Sequence, residues 1–209
     1  TLVCAPGATT DADGTTSFDY TYSWLVNSID IGIATSTLSG SDFSKGDAVQ
    51  CMATPNDGSD DGNVVSSNSI TISNSIPVIG AVAIDPSSAA SSDILTCSYT
   101  GFDDGDGDAD ISTIEWTVNG NSVGSGSTLS GVFIGGDVVR CTVTPNDGEE
   151  AGTSLFDEQT INNSAPMLSV AINTSGCVGP KSTITCTATA SDADGDTPTL
   201  SYEWSDGST

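Results

Sequence analysis

The sequence predicts an all-β protein made of tandem repeats, and three observations support this prediction. Apolar and polar side chains alternate with a period of two in short runs, which is typical of half-buried strands. Clusters of Gly, Ser, Asn and Asp separate these runs and supply the backbone conformations that turns need. Cysteine and tryptophan residues recur at a nearly constant interval along the 209 residues. No segment of useful length shows the 3.6-residue period of an amphipathic helix.

Three copies of one repeat are visible when the chain is aligned on its tryptophans. The opening cysteines are separated by 97 − 4 = 93 and 186 − 97 = 89 residues. We expect three domains, at residues 1–75, 76–165 and 166–209, of which only the second is complete. The first lacks its opening strand, and the third contains the N-terminal part of a domain. The residues that mark the copies are Cys4, Trp24, Cys51, Cys97, Trp116, Cys141, Cys186 and Trp204.

The alternation predicts three core strands in the second copy. Leu95, Cys97 and Tyr99 lie on one face of the first strand, and Asn119-Gly120 is predicted to form a two-residue hairpin turn. The other inward positions predicted for this copy are Ile114, Trp116, Val118, Val139, Cys141 and Val143. We predict that Trp24, Trp116 and Trp204 occupy the cores of their domains.

The charge of the chain argues against several classes of function. The chain carries 28 acidic and 3 basic residues, has a formal net charge of −25, and contains no histidine. Its basic residues, Lys45, Arg140 and Lys181, are too few for the cationic surface that nucleic acids or anionic membranes require. Without histidine it lacks the commonest general base, so we do not expect an enzyme. No apolar run approaches the roughly 20 residues of a membrane-spanning helix, so we expect no membrane insertion.

The order of cysteine, tryptophan and second cysteine resembles strands B, C and F of immunoglobulin-like (Ig-like) sandwiches. The phrase Tyr-Glu-Trp-Ser-Asp-Gly-Ser at 202–208 resembles a strand phrase of PKD domains, and Asp-Ala-Asp-Gly-Asp at 192–196 resembles the acidic loop of bacterial cadherin-like repeats. The chain thus resembles the tandem repeats of large bacterial extracellular surface proteins. It departs from antibody domains at Val49 and Val139, where those domains have tyrosine.

The resemblance implies a linear array of Ig-like sandwiches, each closed by a disulfide between its two sheets. It pairs Cys4 with Cys51 and Cys97 with Cys141, and it places the protein outside the cell or on its surface. Reduced, buried cysteines are the alternative interpretation. A zinc site is disfavoured because the sequence contains no Cys-x-x-Cys motif.

Each copy has acidic residues between the predicted strands B and C, and these predict Ca²⁺ binding. Closely spaced carboxylates repel each other, and hard oxygen ligands at alternate positions are the ligands that Ca²⁺ prefers. An EF-hand is rejected because Thr197 and Ala109 stand where its loop needs glycine. A solvated acidic turn is the alternative interpretation. The candidate metal ligands are Asp11, Asp13, Asp103, Asp104, Asp106, Asp108, Asp110, Asp147, Asp192, Asp194 and Asp196.

The Ig-like topology implies that the B–C and F–G loops face the preceding domain. It would gather Asn74, the loop at 103–110 and the F–G loop with Asp147 at the first junction. At the second junction it would gather Asn163 and the loop at 192–196. A cation bound at either place would stiffen a joint that is otherwise mobile. Asp147-Gly148 and Asp57-Gly58 also have a simpler interpretation as turn dipeptides.

Two functional hypotheses follow. The first is a structural stalk or filament that grows by adding repeats and self-associates into a fibre. The second is an adhesin that binds a glycan or a protein receptor on a cell surface. The adhesin needs an exposed aromatic platform, and the phenylalanines are scattered through the sequence.

Overall fold

The computed structural model of the protein describes residues 1–173 and 178–205. Within these residues every regular element is a β-strand apart from one short 3-10 turn at Gly40–Asp42, and all named strand pairs are antiparallel. The predicted all-β class is confirmed. The contacts between residues divide the chain into two compact units. Unit 1 comprises Thr1–Ile76 and Asp104–Ala109, and unit 2 comprises Pro77–Asp103 and Asp110–Thr209.

Unit 1 is organised around one long antiparallel pair of strands. Its strands are β1 (Leu2–Val3), β2 (Asp19–Val26), β3 (Ile29–Asp30), β4 (Thr37–Leu38), β5 (Ala48–Asn56), β6 (Val65–Ser66) and β7 (Ile70–Thr71). Strand β5 pairs with β2, β6 and β7, and β2 also pairs with β3. Strand β1 pairs with β4 in a separate small sheet.

The core of unit 1 forms where these two sheets face each other. Trp24 of β2 lies opposite Cys51 of β5 in the register, and Cys4 forms a disulfide with Cys51, with the two Cα atoms 6.1 Å apart. Leu38 and Val49 complete the set of buried apolar residues. The Trp24 indole Nε1–H donates to the carbonyl of Thr35 at 2.9 Å, so its one polar atom is satisfied.

Unit 2 contains two sheets and a separate hairpin. Its strands are β8 (Ala81–Asp85), β9 (Leu95–Thr100), β10 (Thr113–Val118), β11 (Asn121–Ser125), β12 (Thr128–Leu129), β13 (Val138–Thr144), β14 (Leu155–Thr160), β15 (Met167–Asn173) and β16 (Thr185–Ser191). One sheet has the order β11-β10-β13-β14, and the other has the order β12-β9-β8. Within the described residues of this unit, β15 and β16 pair only with each other.

The turn between β10 and β11 agrees with its sequence. Asn119 and Gly120 both have positive φ, at 50° and 80°, and Val118 pairs with Asn121. Two consecutive residues with positive φ are the requirement of a type I′ turn, which Asn-Gly meets at little cost. The predicted two-residue hairpin is confirmed.

The core of unit 2 is larger than that of unit 1 and contains the predicted inward residues. Trp116, Val139 and Cys141 are fully buried, and Cys97 forms a disulfide with Cys141 across a Cα separation of 6.2 Å. The indole of Trp116 donates to the carbonyl of Gly126 at 2.9 Å. The other buried members are Ile79, Ile84, Ala89, Leu95, Val118, Leu129, Phe133, Val143 and Ile161.

The third repeat contributes a hairpin without a core. Every residue of β15 is exposed, and no sheet in residues 1–173 and 178–205 covers the hairpin as β10 and β13 cover β8 and β9. Trp204 is 59% exposed and lies outside the strands. The structure therefore corrects the prediction that Trp204 occupies a core.

Candidate functional site

The three acidic loops share one turn, although they differ in the number of carboxylates. In each loop an aspartate Oδ1 accepts the backbone N–H of the aspartate two residues later, at 3.1, 2.9 and 2.8 Å in chain order. A glycine with positive φ follows at each place, which a side chain with a Cβ would rarely allow. The members of these turns are Asp11, Asp13 and Gly14, then Asp104, Asp106 and Gly107, then Asp192, Asp194 and Gly195.

The second loop brings three of the predicted ligands together. Asp104, Asp106 and Asp108 each offer a carboxylate oxygen, and these oxygens lie within 4.8 Å of one another. Asp104 Oδ1 is occupied by the N–H groups of Asp106 and Asp108, at 2.9 and 3.1 Å. Its other oxygen is enclosed and has no hydrogen-bond partner in the described part of the chain. Three negative charges at this separation repel each other and favour a cation.

Lys45 and Asn74 lie beside this cluster in unit 1. The Lys45 ammonium forms an ion pair with Asp108 and donates a second hydrogen bond to Asn74 Oδ1 at 3.0 Å. The N–H of Ser75, the residue after Asn74, donates to Asp106 Oδ2 at 2.6 Å. The loop at 104–109 is therefore held against the segment that joins the first repeat to the second. The Lys45 ammonium already gives this loop one positive countercharge.

The third loop makes the matching contact at the next joining segment, inside unit 2. The N–H of Ser164 donates to Asp194 Oδ2, and the N–H of Gly135 donates to Asp194 Oδ1 at 2.7 Å. Asp194 is only 7% exposed. These two backbone donors lower the pKa of the Asp194 carboxyl, the Ser164 bond most strongly.

Gly135 corresponds to Lys45, since 135 − 45 = 90 is the interval between the second cysteines, 141 − 51 = 90. A Cβ on Gly135 would lie 2.8 Å from both Asn163 Cα and Asp194 Oδ2, too close for any side chain. The third loop thus has a backbone N–H where the second loop has a lysine.

The remaining predicted ligands have other roles in the structure. Asp103 forms a β-bridge with Val78 through its backbone. Asp110 accepts hydrogen bonds from Ser112 and from the Tyr99 hydroxyl at 3.0 Å. Asp196 and Asp13 are exposed. The structure groups none of these with the three clustered aspartates.

Asp147 has a structural role in the turn after β13. It is buried, and its Oδ1 accepts the N–H groups of Glu149 and Glu150 at 2.7 Å each. Asp57 holds the same turn in the first repeat, where its Oδ1 accepts two backbone N–H groups at 2.7 and 2.9 Å. Gly58 and Gly148 both have positive φ, so the Asp-Gly dipeptides serve as turns as the simpler interpretation predicted.

Sequence reasoning missed the cation beside the second loop. Lys45 is distant in sequence from the aspartates, and only its rarity among 3 basic residues marks it out. Ser75 and Ser164 of the two joining segments act through their backbone N–H groups, and backbone donors leave no signal in the side-chain pattern. Gly135 shows its role only when it is aligned with Lys45.

Neither a protein-family model nor a curated protein matches this chain. Among residues 1–173 and 178–205, no helix has the length and apolar character needed to cross a membrane. The function must therefore be inferred from the geometry of the chain's own residues.

Acid should destabilise the protein through its hydrogen-bonded aspartates. Backbone donors lower the pKa of Asp47, Asp57 and Asp194 below the ordinary value of 3.8. A carboxyl with a lower pKa in the folded state stabilises the fold at neutral pH and loses this contribution as pH falls through the folded value. We expect the melting temperature to be nearly flat above pH 5 and to fall below about pH 4. Melting curves followed by circular dichroism, recorded at a series of pH values from above pH 5 down to pH 2, measure the change. A flat profile in the Asp194→Asn variant alone would assign the effect to that residue, and a flat profile in the parent would contradict the prediction.

Proposed function

We propose that this protein is a structural segment of an extracellular surface protein, in which Ig-like sandwiches repeat along a stalk or filament. The observation that carries the proposal is the agreement between repeats in atomic detail. The first and second repeats share the disulfide, the buried tryptophan with its carbonyl acceptor, and the same loop contacts. Repeats that are alike in this way are suited to building length without changing the local design.

One of these shared contacts connects a hairpin turn to a neighbouring loop. Asn27 Nδ2 donates to Asp47 Oδ1 at 2.7 Å, and Asn119 Nδ2 donates to Asp137 Oδ1 at the same distance. The two asparagines have positive φ, at 52° and 50°. Such a match at exposed positions supports duplication of one domain rather than chance similarity of composition.

The disulfides support an extracellular location. Each closes a long stretch of chain, with sequence separations of 47 and 44 residues. Structural disulfides form and persist in oxidising compartments and are rare in the cytosol. The strongly acidic composition keeps such a protein soluble, and it makes self-association into a fibre dependent on cations or salt.

We further propose that the acidic loops bind Ca²⁺ and thereby restrain the joining segments. Support comes from the three clustered carboxylates and from the enclosed Asp104 oxygen, which has no partner in the described residues. Because the Asp106 carboxylate accepts a hydrogen bond from the N–H of Ser75, an ion held by this loop would lie next to the segment between repeats. Lys45 supplies only one positive charge to three carboxylates, so a divalent cation would still be attracted.

The test is the effect of Ca²⁺ on thermal stability, with a matched pair of variants. A ligand that binds only the folded state stabilises it by about 2.7 kcal/mol at a hundredfold excess over its dissociation constant. The Asp104→Asn variant keeps an Oδ1 acceptor for the turn but removes a charge, and we expect it to lose most of the response to Ca²⁺. The control is Asp30→Asn, because Asp30 Oδ1 likewise accepts a backbone N–H, that of Gly32 at 2.8 Å, outside the acidic loops.

Two outcomes would contradict the calcium proposal. An identical melting temperature in chelator and in millimolar Ca²⁺ would show that the loops are solvated turns. An equal loss of response in both variants would show a general charge effect. Negative-stain imaging of native material tests the filament separately, and a glycan-binding screen tests the adhesin alternative.

A further inference from the structure

The outward face of the sheet β11-β10-β13-β14 carries the only arginine of the chain. Arg140 of β13 lies between Thr117 of β10 and Glu158 of β14 in the register, so these three side chains stand side by side. We call them the outward row. The face is open to solvent, since Phe156 and Val138 on the same side are 53% and 39% exposed.

Two contacts fix the guanidinium of Arg140 in place. Its Nε–H and Nη2–H donate to the same carboxylate oxygen of Glu158, at 3.0 and 2.7 Å. Its Cζ atom lies 4.1 Å from the centroid of the Phe156 ring, within the range of a cation–π interaction. The other oxygen of Glu158 accepts no hydrogen bond from the described residues. A side chain held in this way loses little rotamer freedom when it binds a ligand.

A groove of about 350 Å³ runs beside the outward row. This volume lies within the range of about 300–1,000 Å³ that is typical of small-molecule sites. The side chain of Asn119, which also lines the groove, is engaged by Asp137 and by the N–H of Val138. The polar groups that remain available to a ligand in the groove belong to Thr117, Arg140, Thr142 and Glu158.

The first repeat has different side chains at all of these positions. Its counterparts of Thr117, Arg140, Thr142, Phe156 and Glu158 are Leu25, Gln50, Met52, Ser66 and Asn68. Gln50 donates instead to the carbonyl of Ser67, at 2.6 Å. The two repeats share their disulfide and their buried tryptophan, so the fold itself does not require the outward row.

The groups of the outward row favour a neutral ligand that is rich in hydroxyl groups. A guanidinium only donates hydrogen bonds and a carboxylate only accepts them, whereas a hydroxyl does both. Two neighbouring hydroxyls of one sugar ring can therefore accept from Arg140 and donate to Glu158. An anion is disfavoured because Glu158 already neutralises Arg140, and Glu115, which lies opposite Thr142, adds a further negative charge.

We propose that the outward row and the groove beside it bind a neutral saccharide. Arg140 donates to one ring hydroxyl, and Glu158 accepts from the adjacent one. The hydroxyls of Thr117 and Thr142 bond to further hydroxyls of the same ligand. Phe156 is a positioning residue that holds the guanidinium. The proposal goes beyond the stalk or filament and depends neither on it nor on calcium, since it uses only residues of unit 2.

The experiment titrates the full 209-residue chain, labelled with ¹⁵N, with maltotetraose, cellotetraose, chitotetraose and mannotetraose. We expect saturable shifts at the Arg140 Nε–H and at the amides of Thr117 and Thr142 with at least one of these neutral saccharides. The Arg140→Gln variant carries the residue of the first repeat and should bind at least about tenfold more weakly, because it loses a charged donor. Lys181→Gln removes the same charge away from the groove and should keep the parent affinity.

Two further variants test the role of Phe156. Phe156→Ser should weaken binding and broaden the Arg140 Nε–H signal, because the guanidinium loses the ring that holds it. Phe156→Tyr keeps an aromatic ring and should restore both. The melting temperatures of the Arg140 and Phe156 variants should stay close to that of the parent, since exposed ion pairs contribute little to stability. An effect of Phe156→Ser on melting temperature but not on binding would remove its positioning role.

Three outcomes would overturn the saccharide proposal. One is the absence of binding by all four saccharides at millimolar concentration. Another is equal affinity of the parent and Arg140→Gln, which would place the binding elsewhere on the chain. The last is tighter binding of trigalacturonate than of every neutral saccharide at the same amides, which would show an anion site. An equal loss of affinity in Arg140→Gln and Lys181→Gln would likewise show a general charge effect.

Discussion

Replacing Cys97 and Cys141 together by alanine should lower the free energy of unfolding of unit 2 by about 4 kcal/mol. The disulfide closes a stretch with a sequence separation of 44 residues, and its removal restores the conformational freedom of that stretch in the unfolded chain. Both sulfur positions are buried, so alanine also leaves a small cavity. Urea unfolding followed by tryptophan fluorescence, compared with the parent, measures the loss.

The same chain offers two comparisons for this result. The pair Cys4 and Cys51 has a separation of 47 residues, so its double alanine variant should lose nearly the same free energy in unit 1. Cys186 is half-buried and free within the described residues, so Cys186→Ala should change stability by less than about 1 kcal/mol. A loss below about 1 kcal/mol in both double variants would show that the disulfides contribute little to the folded state.

The features that could be predicted from the sequence are those with a short-range physical cause. Period-two alternation identified β9, β10 and β13, because successive side chains of a strand point to opposite faces. Asn119-Gly120 identified its turn, because few other residues adopt positive φ at two consecutive positions. The placement of Trp24 and Trp116 in cores followed from the same alternation.

The hydrogen-bond partners of the aspartates in the acidic loops could not be predicted from the sequence. Their aspartates could be recognised from spacing, but most carboxylates have structural partners that the sequence does not reveal. Asp194 is held by backbone N–H groups of Gly135 and Ser164, distant in sequence. Asp147 holds a turn through the two residues that follow its glycine. Contacts of this kind depend on which loops the tertiary fold brings together.

The third repeat shows a second limit, which concerns burial. Its hairpin has the same phrase and the same register as β8 and β9, yet its strand β15 is exposed along its whole length. Alternation predicts which face of a strand is apolar, but burial also requires a second sheet to cover that face. This is why Trp204 has the sequence environment of a core residue and is nevertheless exposed.

Replacing Trp116 by alanine should therefore destabilise unit 2 by about 3–5 kcal/mol, whereas Trp204→Ala should cost less than about 0.5 kcal/mol. Trp116 has no exposed surface and lies opposite Cys141 of β13 in the register. Its removal opens a large cavity and leaves the carbonyl of Gly126 without its indole donor. Trp204 forms no such core in the described residues, so its truncation removes little apolar contact.

Urea unfolding of the two variants, followed by far-UV circular dichroism, measures both changes without relying on the fluorescence of the tryptophan that was removed. Trp24→Ala provides the intermediate comparison, because Trp24 is buried in the smaller core of unit 1 and lines a groove of about 300 Å³. We expect its cost to fall at the lower end of the range for buried tryptophans, about 3 kcal/mol, since a more open site can relax around the missing side chain. Equal costs for Trp116→Ala and Trp204→Ala would contradict the assignment of the core to the first two tryptophans. They would require a further sheet over the third hairpin in solution.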